Sequence, residues 1–218
     1  MKITDYQTLV FDCDGVVLNS NKVKTDGFYK AALPYGEQAA LALVEYHVAN
    51  GGISRYKKFE WFLHNVVVNK DGPKFEQLLD SYASEVRQGL FNCEIADGLF
   101  ELRERTIHAN WLIVSGGQQE ELRDVFAARG LAELFNGGIF GSPDSKDEIL
   151  AREVACDNIG KRALFLGDSR YDHVASSAAN LDFIFLSYWT EFKDWQQYAD
   201  TNNILVKDKL KLLIHLDE

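Results

Sequence analysis

The sequence lacks several features that would place it in a specialised class of protein. Only three prolines and one methionine occur in 218 residues, and no repeat or low-complexity tract is present. No apolar run reaches the roughly 20 residues that a membrane helix needs, and the N-terminal apolar stretch is too short for the hydrophobic region of a signal peptide. We therefore expect a cytoplasmic protein with no membrane partner.

Cysteine and basic residues are also scarce. The three cysteines, Cys13, Cys93 and Cys156, are odd in number and lack the spacing of metal ligands, which indicates free thiols in a reducing compartment. Lys and Arg total 23 against 33 Asp and Glu, so the formal net charge is −10. This balance provides no basic surface and excludes nucleic acid as an expected partner, but a local site can still bind a small anion.

Short apolar runs that end in small or acidic residues predict strands buried on both faces, as in a parallel sheet. The clearest are Thr8–Asp12, Trp111–Ser115, Ala163–Asp168 and Phe183–Ser187, with weaker candidates at Gly138–Phe140 and Asn203–Val206. Helical patterns alternate with them at Gln119–Arg129, Lys146–Ala155 and Tyr171–Ala179, and a further helix is expected at Asp208–Leu216. Alternating strands and helices predict an α/β fold with a doubly wound, Rossmann-like parallel sheet.

The interval after the first strand breaks this alternation. It contains helical patterns near Asn21–Leu33, Glu37–Ala49, Arg55–Asn65 and Lys74–Phe91, without a convincing strand. The sequence therefore predicts an α/β core formed by residues 1–18 and 97–218. A helical domain formed by residues 19–96 is inserted after the first strand.

Chemically versatile residues follow the predicted strands. Because ligands bind outside the carboxyl ends of parallel strands, we expect these residues to share one site. The set comprises Asp12, Asp14, Ser115, Gly116, Asp168 and Asp172, together with Lys146 at the start of a helix.

This set suits phosphoryl transfer. Crowded carboxylates need a cation, and hard oxygen ligands favour Mg²⁺. One carboxylate can attack phosphorus, and a second can protonate the leaving group and then activate water. A hydroxyl and an ammonium can stabilise the non-reacting phosphoryl oxygens.

These residues occur in motifs that resemble the haloacid dehalogenase-like hydrolase superfamily. The motifs are LVFDCDGVV at 9–17, WLIVSGG at 111–117, Lys146, and FLGDSRYD at 165–172, in the family's order and spacing. The resemblance covers essentially the whole chain. It implies that the helical insertion is a cap like that of phosphoglycolate phosphatase and β-phosphoglucomutase relatives.

The resemblance also implies roles for individual residues. Asp12 would be the nucleophile and Asp14 the acid/base, while Ser115 and Lys146 would bind the phosphoryl group. Mg²⁺ would be held by Asp12, Asp168 and the backbone carbonyl of Asp14, and Asp172 would complete the acidic cluster. Relatives usually have Pro after the lysine, whereas Asp147 follows Lys146; the nearby alternatives are Lys161 and Arg162.

The inserted segment supplies weaker candidates. The string GISR at 52–55 resembles a substrate-specificity loop, which implies that Arg55 meets a distal anionic group of the substrate. The alternative is a helix start with Ser54 as N-cap and a solvated basic turn. Gly116 and Ser20 are further candidates for substrate binding.

The favoured interpretation is a Mg²⁺-dependent phosphatase acting on a small phosphorylated metabolite, such as a sugar phosphate, through an aspartyl-phosphate on Asp12. A phosphosugar mutase is the first alternative, although Lys24 occupies the position where such mutases carry a histidine. A non-catalytic binding or scaffold subunit is an alternative of another class, and a receiver module would leave Asp168 and Asp172 without a role. Strand alternation turns Cys13 away from the site, which argues against a thiol nucleophile.

Overall fold

The computed structural model describes residues 2–216 and contains one parallel sheet of six strands. The strand order is β3-β2-β1-β4-β5-β6, so the first strand lies in the interior of the sheet. The strands are β1 (Thr8–Phe11), β2 (Asn110–Gln118), β3 (Gly138–Ser142), β4 (Ala163–Gly167), β5 (Asp182–Leu186) and β6 (Leu205–Lys207).

The interior strands are apolar because helices cover both faces of the sheet. Every residue of β1 and β4 is buried, whereas the edge strand β6 is partly exposed. Phe11 at the end of β1 lies opposite Ile113 of β2 and Leu166 of β4. This register brings the chain that follows each of these strands to the same edge of the sheet.

Five helices accompany the strands of the core. They are α5 (Leu99–Arg105), α6 (Gln119–Ala128), α7 (Lys146–Ala155), α8 (Arg170–Ala178) and α9 (Trp195–Asn202). Helices α7 and α8 each begin at a serine N-cap, Ser145 and Ser169, that forms a capping box with the residue at the third helical position. Both helices therefore start at fixed points next to the carboxyl edge of the sheet.

Four helices lie between β1 and α5. They are α1 (Asn21–Ala32), α2 (Glu37–Ala49), α3 (Arg55–Asn65) and α4 (Phe75–Asn92). Three buried aromatic rings hold this helical insertion together: the Phe28 centroid lies 5.2 Å from that of Phe59 and 4.3 Å from that of Tyr82. These rings belong to a buried apolar cluster that continues into the core, where it includes Phe11 and Trp111.

The chain leaves and re-enters the core through two adjacent segments. Leu18 and Ile95 form an isolated antiparallel bridge. The Asn19 amide donates to the Glu94 carbonyl at 2.9 Å, and the Ala96 amide donates to the Val17 carbonyl at 2.9 Å. The two ends of the insertion are therefore joined to each other by backbone hydrogen bonds.

The structure confirms the predicted fold class. The sequence patterns missed α5 and α9, and the helix predicted at Asp208–Leu216 is instead a 3-10 helix at Leu210–His215. The division into domains at 18/19 and 96/97 remains a prediction. Within residues 2–216, no helix has both the length and the apolar character that a membrane crossing demands.

Candidate active site

Three carboxylates converge at the carboxyl edge of the sheet. Asp12 directly follows β1, Asp168 directly follows β4, and Asp172 lies in the first turn of α8. One oxygen from each lies within 4.8 Å of the others, and all three residues are buried. Asp12 and Asp168 follow adjacent parallel strands, and the first turn of α8 brings Asp172 beside them, so the three carboxylates meet at one edge of the sheet.

Lys146 provides the positive charge within this cluster. Its Nζ lies 3.0 Å from Asp12 Oδ2 and donates to Asp172 Oδ1, and its side chain is fully buried. The two alternative basic residues lie elsewhere: Lys161 is exposed, and Arg162 pairs with Asp5 at the opposite end of β4. The geometry therefore favours Lys146 as the lysine of the predicted site.

If all three carboxylates were ionised, they would carry more negative charge than Lys146 neutralises. Burial raises the pKa of Asp12 to about 7 against the opposing effect of Lys146. Burial, followed by the charges of Asp12 and Asp172, also raises the pKa of Asp168 well above its usual range. Buried carboxylate oxygens in excess over nearby cations form a donor set that suits a hard divalent cation.

Asp14 lies outside this group of three. Its Oδ1 accepts a hydrogen bond from Ser20 Oγ at 2.5 Å, and its Oδ2 pairs with Lys24 Nζ at 2.5 Å. Burial tends to raise the pKa of Asp14, but the charge and hydrogen bond of Lys24 outweigh it, so the pKa is lowered. Both contacts come from the start of the insertion, which therefore orients the Asp14 carboxylate.

Asp172 has a structural task in addition to its place in the cluster. Its Oδ2 accepts from the Asp168 amide at 3.2 Å, the Ser169 amide at 3.0 Å and Ser169 Oγ at 2.6 Å. These bonds fix the loop between β4 and α8. Asp172 thereby helps to hold Asp168 in position.

Asp168 also contacts the insertion. The Asn21 side-chain amide donates to Asp168 Oδ2 at 2.7 Å, and the Thr190 hydroxyl donates to the Asp168 carbonyl at 2.6 Å. A side chain at position 15 would overlap both Asp168 and Asn21, and Gly15 has φ of +78°. Only glycine fits this turn, which accounts for the Gly in the DCDG string.

The end of β2 meets the insertion directly. Ser115 is fully buried, and its Oγ accepts from the Gly117 amide at 3.1 Å. Gly116 and Gly117, rather than the Ser115 side chain, line the adjoining cavity. A Cβ at Gly116 would collide with the Gly52 carbonyl, so the absence of a side chain lets the loop at 51–53 approach the core.

A cavity adjoins the carboxylate cluster and Gly116, and we refer to it as the active-site cavity. Its volume is about 60 Å³, and it lies between the carboxyl edge of the sheet and helices α1, α2 and α3. Its lining includes Asp12, Asp14, Lys24, Arg55, Lys58 and Asp168. The core contributes acidic groups to the cavity, and the insertion contributes basic groups.

Arg55 faces the cavity, but its guanidinium is already paired. Its Nη1 donates to Glu121 Oε1 at 3.3 Å, its Nη2 donates to Glu121 Oε2, and the group lies 4.6 Å from the centroid of the Tyr82 ring. Helix α3 does begin after Ser54, although the serine side chain makes no capping bond. The alternative of a solvated basic turn is wrong for Arg55 because this residue is buried; its contact with a substrate remains a prediction.

Sequence reasoning missed several polar residues of the site: Asn21, His47, Lys58 and Glu121. One signal was available in the sequence, namely the spacing of Arg55, Lys58, Phe59 and Phe62, which are the buried residues of α3. This spacing forms a single helical face. Two cations on the apolar face of a helix indicate a buried basic site.

Cys13 is fully buried, and burial raises the pKa of its thiol well above the usual value. A thiol in this environment is a poor nucleophile. The structure therefore agrees with a packing role.

Comparison with known proteins defines the family. The family model for haloacid dehalogenase-like hydrolases matches residues 6–180, which is most of the chain. The chain belongs to the haloacid dehalogenase-like hydrolases. None of the curated proteins matches it significantly.

Several solved structures share the fold across nearly their whole length. A predicted phosphoglycolate phosphatase from Haemophilus somnus has a TM-score of 0.73 and 16% identity, with 99% of each chain covered. A predicted phosphatase from Clostridium acetobutylicum has a TM-score of 0.71 and 18% identity, covering 93% of this chain and 94% of its own. β-Phosphoglucomutase from Clostridium difficile has a TM-score of 0.72 and 16% identity, covering 95% of this chain and 93% of its own.

Proposed function

We propose that the protein is a Mg²⁺-dependent phosphatase that hydrolyses a small phosphomonoester through an aspartyl-phosphate on Asp12. One observation carries the proposal. Asp12 lies beside a buried lysine and two further carboxylates at one end of a cavity between the core and the insertion. Similarity to solved phosphatase structures agrees with this activity.

The metal would be held by the acidic cluster. Asp12 and Asp168 would supply carboxylate oxygens, Asp14 its backbone carbonyl, and Asp172 would complete the negative charge. Bound Mg²⁺ supplies charge neutralisation that allows a carboxylate and an anionic phosphoryl group to approach each other. The buried, under-neutralised oxygens described above fit such an ion.

In the first half-reaction, a carboxylate oxygen of Asp12 attacks phosphorus. The new oxygen–phosphorus bond forms as the ester oxygen–phosphorus bond breaks, and the leaving alkoxide takes a proton. Lys146 and the Ser115 hydroxyl would stabilise the phosphoryl oxygens, and the adjacent Gly116 backbone would line their site. In the second half-reaction, water attacks the phosphorus, which releases phosphate and regenerates Asp12.

Asp14 would carry the proton in both half-reactions. Its carboxyl group would donate to the leaving oxygen first and would then accept a proton from the attacking water. Ser20 and Lys24 hold this carboxylate in a single orientation. For Asp14 to donate a proton, the contact with Lys24 must loosen during the cycle.

The proposed substrate is a small phosphorylated metabolite, such as a sugar phosphate or similar phosphomonoester. The structural likeness to both phosphatases and β-phosphoglucomutase leaves these two reaction types as the ones to distinguish. Lys24 stands where the resemblance expects the histidine of a mutase. Hydrolysis is therefore the favoured reaction.

The test is hydrolysis of p-nitrophenyl phosphate by the purified protein with Mg²⁺, beside an Asp12→Asn variant. We expect wild-type turnover, a loss of at least about 10³-fold in the variant, and loss of activity with EDTA that Mg²⁺ restores. Thermal melting of both proteins checks that the variant is folded. Equal rates in the two proteins, or none in wild type, would show that Asp12 is not a phosphatase nucleophile.

A further inference from the structure

The insertion directs three buried cationic side chains toward the active-site cavity. Their positive charges are compensated to different degrees. Lys24 pairs with Asp14 at 2.5 Å, and Arg55 pairs with Glu121 through both guanidinium ends. Lys58 is only 2% exposed, and its Nζ contacts His47 Nδ1 at 2.7 Å. Over residues 2–216, no carboxylate forms an ion pair with Lys58.

The histidine does not replace an anion. If Lys58 donates a proton to the Nδ1 lone pair, the His47 ring must be neutral, and burial together with Lys58 lowers the pKa of His47 well below its usual value. Phe28 adds an aromatic wall, with its centroid 4.5 Å from the His47 ring and 5.5 Å from Lys58 Nζ. The ammonium is thus held in a defined direction without charge compensation.

Burial of an uncompensated ammonium is costly. In agreement, burial, followed by repulsion from Lys24, lowers the pKa of Lys58 to about 7. An anion bound beside Lys58 would remove this cost. The free energy of binding would then benefit from an ammonium group that is already held in position before the anion binds.

The position of Lys58 connects it to the chemistry. Lys58, His47 and Phe28 line the same cavity as Asp12 and Asp14. A phosphoryl group at Asp12 would leave the rest of the substrate in this cavity. The wall formed by α1, α2 and α3 would therefore face the non-reacting part of the substrate.

We propose that Lys58, oriented by His47, binds a second acidic group on the substrate and so selects phosphomonoesters that carry a further carboxylate or phosphate. This inference rests on the proposed phosphatase function and narrows its substrate class. Lys58 is the binding residue, and His47 is a positioning residue that acts through it. Arg55 differs because Glu121 already supplies its counter-charge.

Matched substrates test the proposal. Phosphoglycolate is compared with ethyl phosphate, which lacks the carboxylate, and propane-1,3-diol bisphosphate is compared with propyl phosphate. For wild type we expect kcat/KM at least about tenfold higher for one or both doubly anionic members. The pair with the larger preference identifies the second group as a carboxylate or a phosphate. Equal kcat/KM within both pairs would overturn the proposal.

Variants at position 58 locate the preference. Lys58→Met keeps the apolar stem and should raise KM for the preferred doubly anionic substrate by about 10- to 100-fold, a larger rise than for its singly anionic partner. Lys58→Arg should restore part of the preference. Lys57→Met is the matched control because Lys57 is the exposed neighbour of Lys58. An equal loss for both members of a pair would indicate a structural role and reject the proposal.

Histidine variants test positioning. His47→Leu removes the acceptor and should raise KM for the doubly anionic substrate several-fold, more than it raises KM for the singly anionic partner. His47→Asn offers an oxygen near the position of Nδ1 and should recover part of the loss. A parallel loss of kcat on every substrate would contradict a positioning role.

A binding measurement separates failure of this inference from failure of the proposed function. Calorimetry of phosphoglycolate and propane-1,3-diol bisphosphate with the Asp12→Asn protein, with and without Lys58→Met, reports Kd without turnover. A 10- to 100-fold weaker Kd for one of these ligands, on the order expected for a charged hydrogen bond, would support Lys58 even if the protein hydrolyses neither. Unchanged Kd values for both ligands would reject its role even if the protein is an active phosphatase.

Discussion

The core and the insertion contribute opposite charges to one cavity. The core presents the short carboxylates Asp12, Asp14 and Asp168 on or just after strand ends, whereas the insertion presents Lys24 and Lys58 on helices. Short side chains on a sheet edge fix atoms closely, as bond-making requires. Long side chains on helices reach further and adapt to different ligands. In the proposed function, the core would carry the reaction chemistry, and Lys58 of the insertion would contribute to substrate recognition.

Neither the core nor the insertion balances the charges of its own cavity-lining residues. Pairs between Asp14 and Lys24, and between Glu121 and Arg55, cross from the core to the insertion. Lys58 has no such partner in the described part of the chain, and the acidic cluster has only Lys146 from its own side. The remaining imbalance on each side marks where a metal ion and a substrate anion are expected.

Replacing Lys146 tests the contribution of the core. Replacement by Met removes the ammonium that contacts Asp12 and Asp172, and it should reduce kcat/KM for p-nitrophenyl phosphate by about 10²- to 10³-fold, as loss of one preorganised electrostatic group does. Lys161→Met is the control because this lysine is exposed. Activity within threefold of wild type in Lys146→Met would contradict the assignment of Lys146.

The boundary between the halves can be altered at Glu121. Glu121→Gln removes the counter-charge of Arg55 without changing side-chain size. The released guanidinium should bind a substrate anion, so KM for phosphoglycolate should fall by about threefold to tenfold while p-nitrophenyl phosphate is unaffected.

The control for this experiment is Glu120→Gln on the same helical turn, where the glutamate is exposed and pairs with Arg123. A rise in KM for both substrates in Glu121→Gln would mean that the Arg55 pair only stabilises the contact between core and insertion.

The smallest expected effect is a pH-dependent change in stability, and it tests Lys58 of the insertion. The pKa of Lys58 is lowered to about 7 in the folded protein, whereas a lysine in the unfolded chain has a pKa of about 10.4. Between these values the unfolded state binds more protons, so wild-type stability from this group rises with pH. The Lys58→Met variant lacks this pH dependence. It should therefore be more stable than wild type below pH 7, and the difference in stability should shrink toward pH 10.

Melting temperatures of both proteins at pH 6.5 and 8.0 measure the difference in stability, which should change by a few °C between the two pH values, as roughly 1 kcal/mol gives in a domain of this size. A difference that stays constant with pH would contradict the lowered pKa of Lys58. The charged and titratable groups that influence Lys58 are His47, Lys24, Asp14, Lys146 and Asp12.

Much of the core could be predicted from sequence because its site follows from strand ends. Asp12 and Asp168 directly follow buried apolar runs, and parallel pairing then brings them together. The helices α5 and α9 were missed because they are short, with 7 and 8 residues, and contain few apolar positions that form a clear face.

The recognition side was not predictable to the same degree. His47 and Lys58 meet across two helices, and their contact depends on how α2 packs against α3. Helical periodicity identifies a buried face but does not specify which face of another helix it will contact. The Glu121 pair is harder still, because it joins residues 66 positions apart across the boundary of the insertion.

The paired segments at 17–19 and 94–96 have a consequence for how such a protein can diversify. Because the chain departs and returns at neighbouring points, the length and composition of the inserted helices impose no stretch on the six-stranded sheet. The inserted helices can then change while the carboxylates at the sheet edge keep their positions.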